Sequence, residues 1–125
     1  MDQSLERALA PVLRDLASTG APEPRVENTH WTDDPEVPSA MLHSPDGGGT
    51  GVAVELALSP AERSARVADT VQEWAIEELW REGPTNWPPC PQHPTTHPMA
   101  ATVRHETAVW ACPITGLAVA DIGAL

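Results

Sequence analysis

The residues with the clearest chemistry in this sequence are two cysteines and two histidines in its C-terminal third. They are Cys90, His93, His97 and Cys112. Two thiolates and two imidazoles form a ligand set that is typical of a closed tetrahedral zinc site, in which the metal has a structural role. We therefore predict that these four residues are metal ligands and that the bound metal is zinc.

The spacing of the first three residues favours a loop over a helix. Two residues separate Cys90 from His93, which lets both side chains point into one concavity. Three residues separate His93 from His97, a spacing that also occurs in helical zinc fingers. Pro94 lies inside that spacing and Pro98 follows it, and both prolines disfavour a helix. The stiffened loop should lose little conformational entropy when it binds metal.

A second predicted turn contains Cys112 and ends at Gly116, a residue that is free to adopt a positive φ. Apolar residues precede and follow this turn, so residues 99–111 and 117–122 are predicted to be strands. A ligand-bearing loop, a strand, a ligand-bearing turn and a return strand form the layout of a zinc ribbon. We therefore expect a zinc-ribbon-like β-hairpin in this part of the chain.

The sequence leaves the fourth ligand open. Thr115 stands where a complete second ribbon turn would carry its second ligand. His97 is the best substitute, because it lies in a loop and is close in sequence, whereas His105 lies in the middle of a predicted strand. Two other interpretations of the cysteines also stay open. One is a Cys90–Cys112 disulfide or a pair of free thiols, and the other is a catalytic zinc with three protein ligands and a water.

The N-terminal residues predict the compartment. The first seven include three charged residues and lack an apolar core, so we expect no signal peptide. No segment approaches the ~18 consecutive apolar residues of a membrane span, so we expect no membrane partner. These features predict a cytoplasmic protein, and reducing conditions there favour a metal site over a disulfide.

The charge of the chain bears on its partners. It has 18 acidic residues, seven arginines and no lysine, for a net charge of −11. Sixteen of the acidic residues and six of the arginines lie in residues 1–89. Zinc ribbons often bind nucleic acids, but that function needs a basic stripe that releases counterions, and none is present. We therefore expect no nucleic-acid binding; the acidity favours solubility or attraction to a basic protein partner.

The predicted fold class is α+β, with a body over residues 1–83 and a Pro-rich connector and zinc-ribbon-like module over residues 84–125. Apolar residues at helical spacing predict a first helix from about residue 3 to residue 18. Pro11 lies inside it and should either kink the helix or start it again.

A three-stranded antiparallel sheet and a second helix should complete the body. The three strands are expected over residues 25–31, 39–44 and 52–58. The second helix should begin with Ser59 as its cap and Pro60 as its first residue, and should end near Glu82. The body therefore has the order helix, three-stranded antiparallel sheet, helix.

Tryptophan is the only aromatic residue type, with five copies. Tryptophan is usually mostly buried, so at least three of the five are expected in the core. Trp31, which follows His30, has two interpretations. In the first interpretation the two residues line a surface patch. In the second, which is favoured, they belong to a packed edge strand.

Three motifs carry a resemblance to other proteins. They are Trp-Pro-x-Cys-Pro-x-His-Pro from Trp87, Trp-x-Cys-Pro from Trp110 and Ile-Gly-x-Leu from Ile122. On these motifs the C-terminal segment resembles a zinc-ribbon-like module found at the ends of small uncharacterised acidic proteins from GC-rich bacteria. The resemblance implies that the metal motif and the body belong together, and it implies no activity.

These observations predict a binding or adaptor protein in which zinc is structural. An inhibitor or antitoxin-like protein that covers a basic surface fits the acidity. The alternative is a small zinc-dependent hydrolase with an open coordination position. Such an enzyme needs a general base within reach of a zinc-bound water, and only Glu106 and Asp121 lie near the motif in sequence. We identify no catalytic residue.

Overall fold

The α+β prediction is confirmed by the computed structural model, which describes all 125 residues. The helices and strands are α1 Gln3–Ser18, β1 Arg25–Glu27, β2 Ser39–His43, β3 Gly49–Ala53, α2 Pro60–Trp80, β4 Pro89–Cys90, β5 His93–Pro98, β6 Ala100–Arg104, β7 Thr107–Ala111 and β8 Ala118–Asp121. They form a first sheet of order β1-β2-β3, a second sheet of β4-β5 and a third sheet of order β6-β7-β8. All pairings are antiparallel.

Both helices begin at side-chain caps. The Asp2 carboxylate accepts a hydrogen bond from the Leu5 amide at 3.1 Å, which starts α1. The Ser59 hydroxyl accepts one from the Glu62 amide at 3.2 Å, which confirms the predicted start of α2. Pro11 does not interrupt α1, so the helix does not start again there. Neither helix has the length and apolar content needed to cross a bilayer.

The first sheet lies between the helices in sequence, as predicted, but two of its strands have different bounds. Strand β1 covers only Arg25–Glu27, and the chain then turns so that the Asp33 amide donates to the His30 carbonyl at 3.2 Å. Strand β3 starts at Gly49, within the glycine-rich residues 47–51, and ends at Ala53. Gly51 is needed there because a Cβ atom at this position would lie 2.8 Å from the ring of Trp31. Because β3 ends at Ala53, the predicted strand over 52–58 is wrong beyond that residue.

The predicted zinc-ribbon-like hairpin is not confirmed, because the C-terminal part contains more strands than a single hairpin. Residues 93–98, predicted as a loop, form β5 and pair with β4. Strands β6, β7 and β8 form a further three-stranded sheet. Its first turn consists of His105 and Glu106, both with positive φ, which suits a two-residue hairpin connection.

One hydrophobic core cluster of 20 residues joins the two parts of the chain. Most of its members come from α1, α2 and the first sheet. Six come from the C-terminal part: Trp87, Cys90, Met99, Trp110, Cys112 and Ile122. The division between residues 1–83 and 84–125 therefore stays a prediction, and the two segments share their core.

Three tryptophans are buried, as predicted: Trp74, Trp87 and Trp110. Each buried indole N–H has an acceptor, as burial of this group requires. Trp74 donates to the Ser44 hydroxyl at 3.0 Å, and Trp87 donates to the Thr19 hydroxyl at 3.1 Å. The Trp87 and Trp110 rings meet edge to face with centroids 5.5 Å apart.

Candidate metal centre

Two cysteines and two histidines meet at one end of the second and third sheets. One potential ligand atom from each lies within 4.8 Å of the others: Cys90, His93, His97 and Cys112. We call these four residues the metal centre. The sulfurs of Cys90 and Cys112 lie 3.7 and 3.8 Å from Nδ1 of His93. Tetrahedral ligands at the usual zinc–sulfur and zinc–nitrogen bond lengths are separated by about 3.3–3.8 Å. The sulfur–nitrogen distances therefore fit tetrahedral coordination.

The pairing of β4 with β5 positions the first three residues of the cluster. Cys90 lies opposite His93, while the preceding residue, Pro89, lies opposite Pro98. The intervening residues of β5 therefore form a bulge, which folds the chain back on itself. This brings the rings of His93 and His97 to a centroid distance of 4.9 Å. The bulge explains how two histidines four positions apart reach one site without a helix.

The fourth position of the cluster is supplied by a turn that follows β7. Cys112 opens this turn, its amide donates to the Leu117 carbonyl at 2.9 Å, and its carbonyl accepts from the Gly116 amide at 2.8 Å. Gly116 has a φ of 77°, which confirms the predicted positive φ. The turn holds the Cys112 sulfur beside the Cys90–His93 pair.

Thr115 lies in the turn that carries Cys112, although it does not belong to the cluster. Its hydroxyl is the main reason that the pKa of the Cys112 thiol is lowered to about 6, because a nearby hydroxyl favours the thiolate. The backbone amides of Thr115 and Ile114 and the Cys90 thiol lower the pKa further. The thiolate is the form that binds metals, so this turn prepares Cys112 for coordination near neutral pH.

A backbone contact fixes the orientation of His97. Its Nδ1 lies 3.0 Å from the Pro98 carbonyl and donates to it. Nε2 then carries the free lone pair, and this atom is buried without a hydrogen-bond partner. A ring nitrogen that points at a metal while the other donates to a carbonyl is the usual arrangement of a ligating histidine. His97 therefore fits the fourth ligand, whereas His105 is exposed in the turn at the opposite end of β7.

Burial distinguishes the two ligand types. The cysteines are buried and are not joined in a disulfide, and the histidines are half-buried. The cluster contains no carboxylate. Glu106 lies exposed in the β6–β7 turn, and Asp121 lies exposed on β8 opposite Val109. Neither residue that the sequence offered as a general base belongs to the metal centre.

Two buried polar residues that support this region were missed by the sequence analysis. The first is Gln72 on α2, whose side-chain amide donates to the Trp87 carbonyl at 3.1 Å and to the Met99 carbonyl. These two carbonyls flank the β4–β5 pair, and the Met99 amide donates to the Pro88 carbonyl at 2.8 Å. Gln72 therefore fastens the β4–β5 hairpin to α2.

The second missed residue is Asp15 on α1. Its carboxylate accepts hydrogen bonds from the Trp110 indole and from the amides of Gly123 and Leu125. A signal for both residues is present in the sequence, because each lies on the apolar face of its helix, where a polar side chain needs a buried partner.

No protein-family model, curated protein or solved structure matches this chain. The resemblance to acidic proteins of GC-rich bacteria therefore stays a prediction. What the geometry defines is a chain with a Cys2His2 cluster that could bind a metal ion.

Proposed function

We propose that Cys90, His93, His97 and Cys112 bind one zinc ion. The observation that carries this proposal is the convergence of four ligand atoms within 4.8 Å, with both sulfurs at tetrahedral distances from one histidine nitrogen. Two thiolates with two imidazoles suit zinc, whereas oxygen ligands suit magnesium and calcium. The outer hydrogen bonds to Cys112 and His97 support the same proposal.

The zinc has a structural role in this proposal. Four protein ligands fill a tetrahedral shell, which leaves no position for a substrate or a reactive water. The metal joins the second sheet to the turn after β7, so residues 84–125 act as a zinc-ribbon-like module with ligands on two turns. The hydrolase alternative has less support, because the cluster contains no carboxylate that could serve as a general base.

We infer that the protein is a cytoplasmic binding or adaptor protein for a basic protein partner, in the manner of an inhibitor or antitoxin. Only three of its 18 carboxylates lie within 4.0 Å of a cationic side chain. Three exposed acids recur at every fourth position along α2: Asp69, Glu73 and Glu77. Like charges at this spacing destabilise a helix, and a basic partner would remove that cost.

The zinc proposal is tested by elemental analysis of the purified protein. We expect one zinc per chain. Cys112→Ser and His97→Gln should lose it, whereas His105→Gln, a matched control outside the cluster, should keep it. Well under half an equivalent of zinc, together with a Cys90–Cys112 disulfide, would contradict the proposal.

The partner proposal is tested with two variants of equal charge. One neutralises Asp69, Glu73 and Glu77 on α2, and the control neutralises three other exposed acids: Glu6, Glu23 and Asp33. A partner captured from extract is purified, and its dissociation constant is measured for each variant as the salt concentration rises. We expect the α2 variant to bind at least ~10-fold more weakly than the control, as lost charge pairs predict. Equal weakening would indicate attraction by net charge alone.

A further inference from the structure

An open groove with a volume of about 690 Å³ lies between the first sheet and the N-terminal half of α2. It shares no residue with the metal centre. Its volume lies within the range of roughly 300–1,000 Å³ that is usual for small-molecule sites. Trp31 contributes an aromatic ring to the groove, and Arg63 and Arg66 contribute guanidinium groups.

The Trp31 ring is held in place although half of it is exposed. Its Nε1 donates to the Ala40 carbonyl at 2.8 Å. The ring packs over Gly51, where a Cβ atom would come within 2.8 Å of it. The residue nevertheless keeps 51% of its surface exposed. An indole fixed by a hydrogen bond and by backbone packing is a preformed surface on which a flat ligand can stack.

The two arginines of the groove have no carboxylate partner within 4.0 Å, in a chain with 18 acidic residues. Arg63 donates from Nε to the Leu58 carbonyl at 3.1 Å, which orients its guanidinium and leaves its terminal nitrogens free to bind. Arg66 is exposed one turn further along α2. Residues three apart on a helix lie on the same face, so both guanidinium groups can approach one anion.

Two acidic residues limit the charge of that anion. Glu55 and Asp69 line the same groove as the arginines and the tryptophan. Their charge repels a ligand that carries several negative charges, such as a nucleotide or a nucleic acid. Beside Glu55 and Asp69, the two guanidinium groups can still bind an anion with a single negative charge, such as one carboxylate.

We propose that this groove binds a small aromatic monocarboxylate. The carboxylate lies between Arg63 and Arg66, and the ring stacks on Trp31. The site is independent of the zinc proposal, because it uses none of the metal ligands. It assigns a binding function to Trp31, which the sequence placed on a short strand before an acidic turn.

The probe is 2-naphthoate, titrated into the ¹⁵N-labelled full chain and followed by NMR. We expect the Trp31 indole resonance and the amides of residues 51–54 and 63–70 to shift, with a dissociation constant on the order of 1 mM for a ligand of this size. The neutral isostere 2-naphthamide should bind about tenfold more weakly, because it lacks the charge-assisted hydrogen bonds. Arg66→Gln should weaken 2-naphthoate by a similar factor.

The matched control is Arg7→Gln, which removes the same charge from an exposed position on α1 outside the groove. It should leave the affinity unchanged. Equal binding of 2-naphthamide would overturn the proposal, because stacking alone would then explain it. Equal weakening by Arg7→Gln, an absence of shifts, or shifts outside the groove would also overturn it. Tighter binding of 2-naphthyl phosphate, a dianion, would overturn the restriction to monocarboxylates.

Discussion

The buried carboxylate of Asp15 accepts a hydrogen bond from the indole of Trp110, with 2.8 Å between Oδ2 and Nε1. The two residues are 95 positions apart in the chain, and neither is exposed to solvent. The same carboxylate accepts the amides of Gly123 at 2.7 Å and Leu125 at 2.9 Å. One acidic side chain of α1 therefore fastens the third sheet and the residues after it to the first helix.

Asp15→Ala should destabilise the whole protein. The change leaves the Trp110 indole and two amides without their acceptor, and an unsatisfied buried donor costs about 1–3 kcal/mol. We expect a loss of at least ~3 kcal/mol in the free energy of unfolding, measured by urea denaturation. Asp69→Ala, on the exposed face of α2, is the control and should change it little. A loss below about 1 kcal/mol would show that water replaces the carboxylate.

Gln72→Met tests the hydrogen bonds that join α2 to the β4–β5 hairpin. Methionine has a similar shape but donates no hydrogen bond, so the Trp87 and Met99 carbonyls lose a buried donor. We expect a loss of about 2 kcal/mol in the free energy of unfolding. Gln3→Met, at an exposed position in the first turn of α1, is the comparison and should be nearly neutral. Equal effects of the two changes would assign the loss to methionine itself.

Local signals in the sequence were sufficient to predict both helices. Ser59 and Pro60 mark the start of α2 by chemistry that acts within one turn, and the structure confirms it. Strand bounds depended on distant residues. Strand β3 begins at Gly49, and the side chains of Met41 and Trp31 leave no room for a Cβ atom at Gly49 and Gly51. Pairing with β2 sets the bounds of β3, which differ from the predicted range of residues 52–58.

The metal centre was predicted more fully than the contacts that support it. All four residues came from side-chain chemistry, three of them also from their short spacing, and the structure brings them together. The spacing did not predict the β4–β5 bulge that returns His97 to the site. Asp15 and Gln72 bond to partners many residues away, so no local pattern identifies those partners.

Thr115→Val should shift the pH dependence of metal binding. In the native fold the pKa of Cys112 is lowered to about 6, chiefly by the Thr115 hydroxyl. Because the native pKa is lowered, the Cys112 thiolate contributes its full stabilisation to the fold above the ordinary thiol pKa of ~8.5. That contribution is lost as the pH falls through the native pKa of about 6. Without the hydroxyl the pKa should rise, so protons should compete with the metal at higher pH.

The measurements for this variant are thiolate absorbance of the metal-free protein against pH and zinc affinity by chelator competition. We expect the affinity at neutral pH to fall about tenfold, as for other lost outer hydrogen bonds of metal ligands. Thr107→Val is the control, because Thr107 is exposed on β7 and outside the turn. Matching pH profiles for the two variants would exclude the role assigned to Thr115.

The two histidines should bind the metal through different ring nitrogens. His93 points Nδ1 at both sulfurs, whereas His97 uses Nδ1 for the Pro98 carbonyl and leaves Nε2 for the metal. In the zinc-loaded protein, long-range ¹H–¹⁵N spectra should therefore assign coordination to Nδ1 of His93 and Nε2 of His97. The His97 Nδ1 proton should exchange slowly. The same nitrogen in both rings, or a freely titrating His97, would contradict this geometry.

Removal of the metal should loosen the C-terminal part and leave the helices folded. Fourteen of the 20 core residues precede residue 84, so α1, α2 and the first sheet keep most of the core without zinc. The second sheet is only a short hairpin, and metal binding in peptides of similar size contributes roughly 10–16 kcal/mol to folding. Hydrogen exchange on metal-free protein, and on Cys112→Ser, should therefore accelerate over residues 89–98 and 112–117 while α2 stays protected.

The control variant His105→Gln should exchange like the wild type. Fast exchange through α2 would mean that zinc holds the entire fold, and unchanged protection at residues 89–98 would mean that the site is not structural.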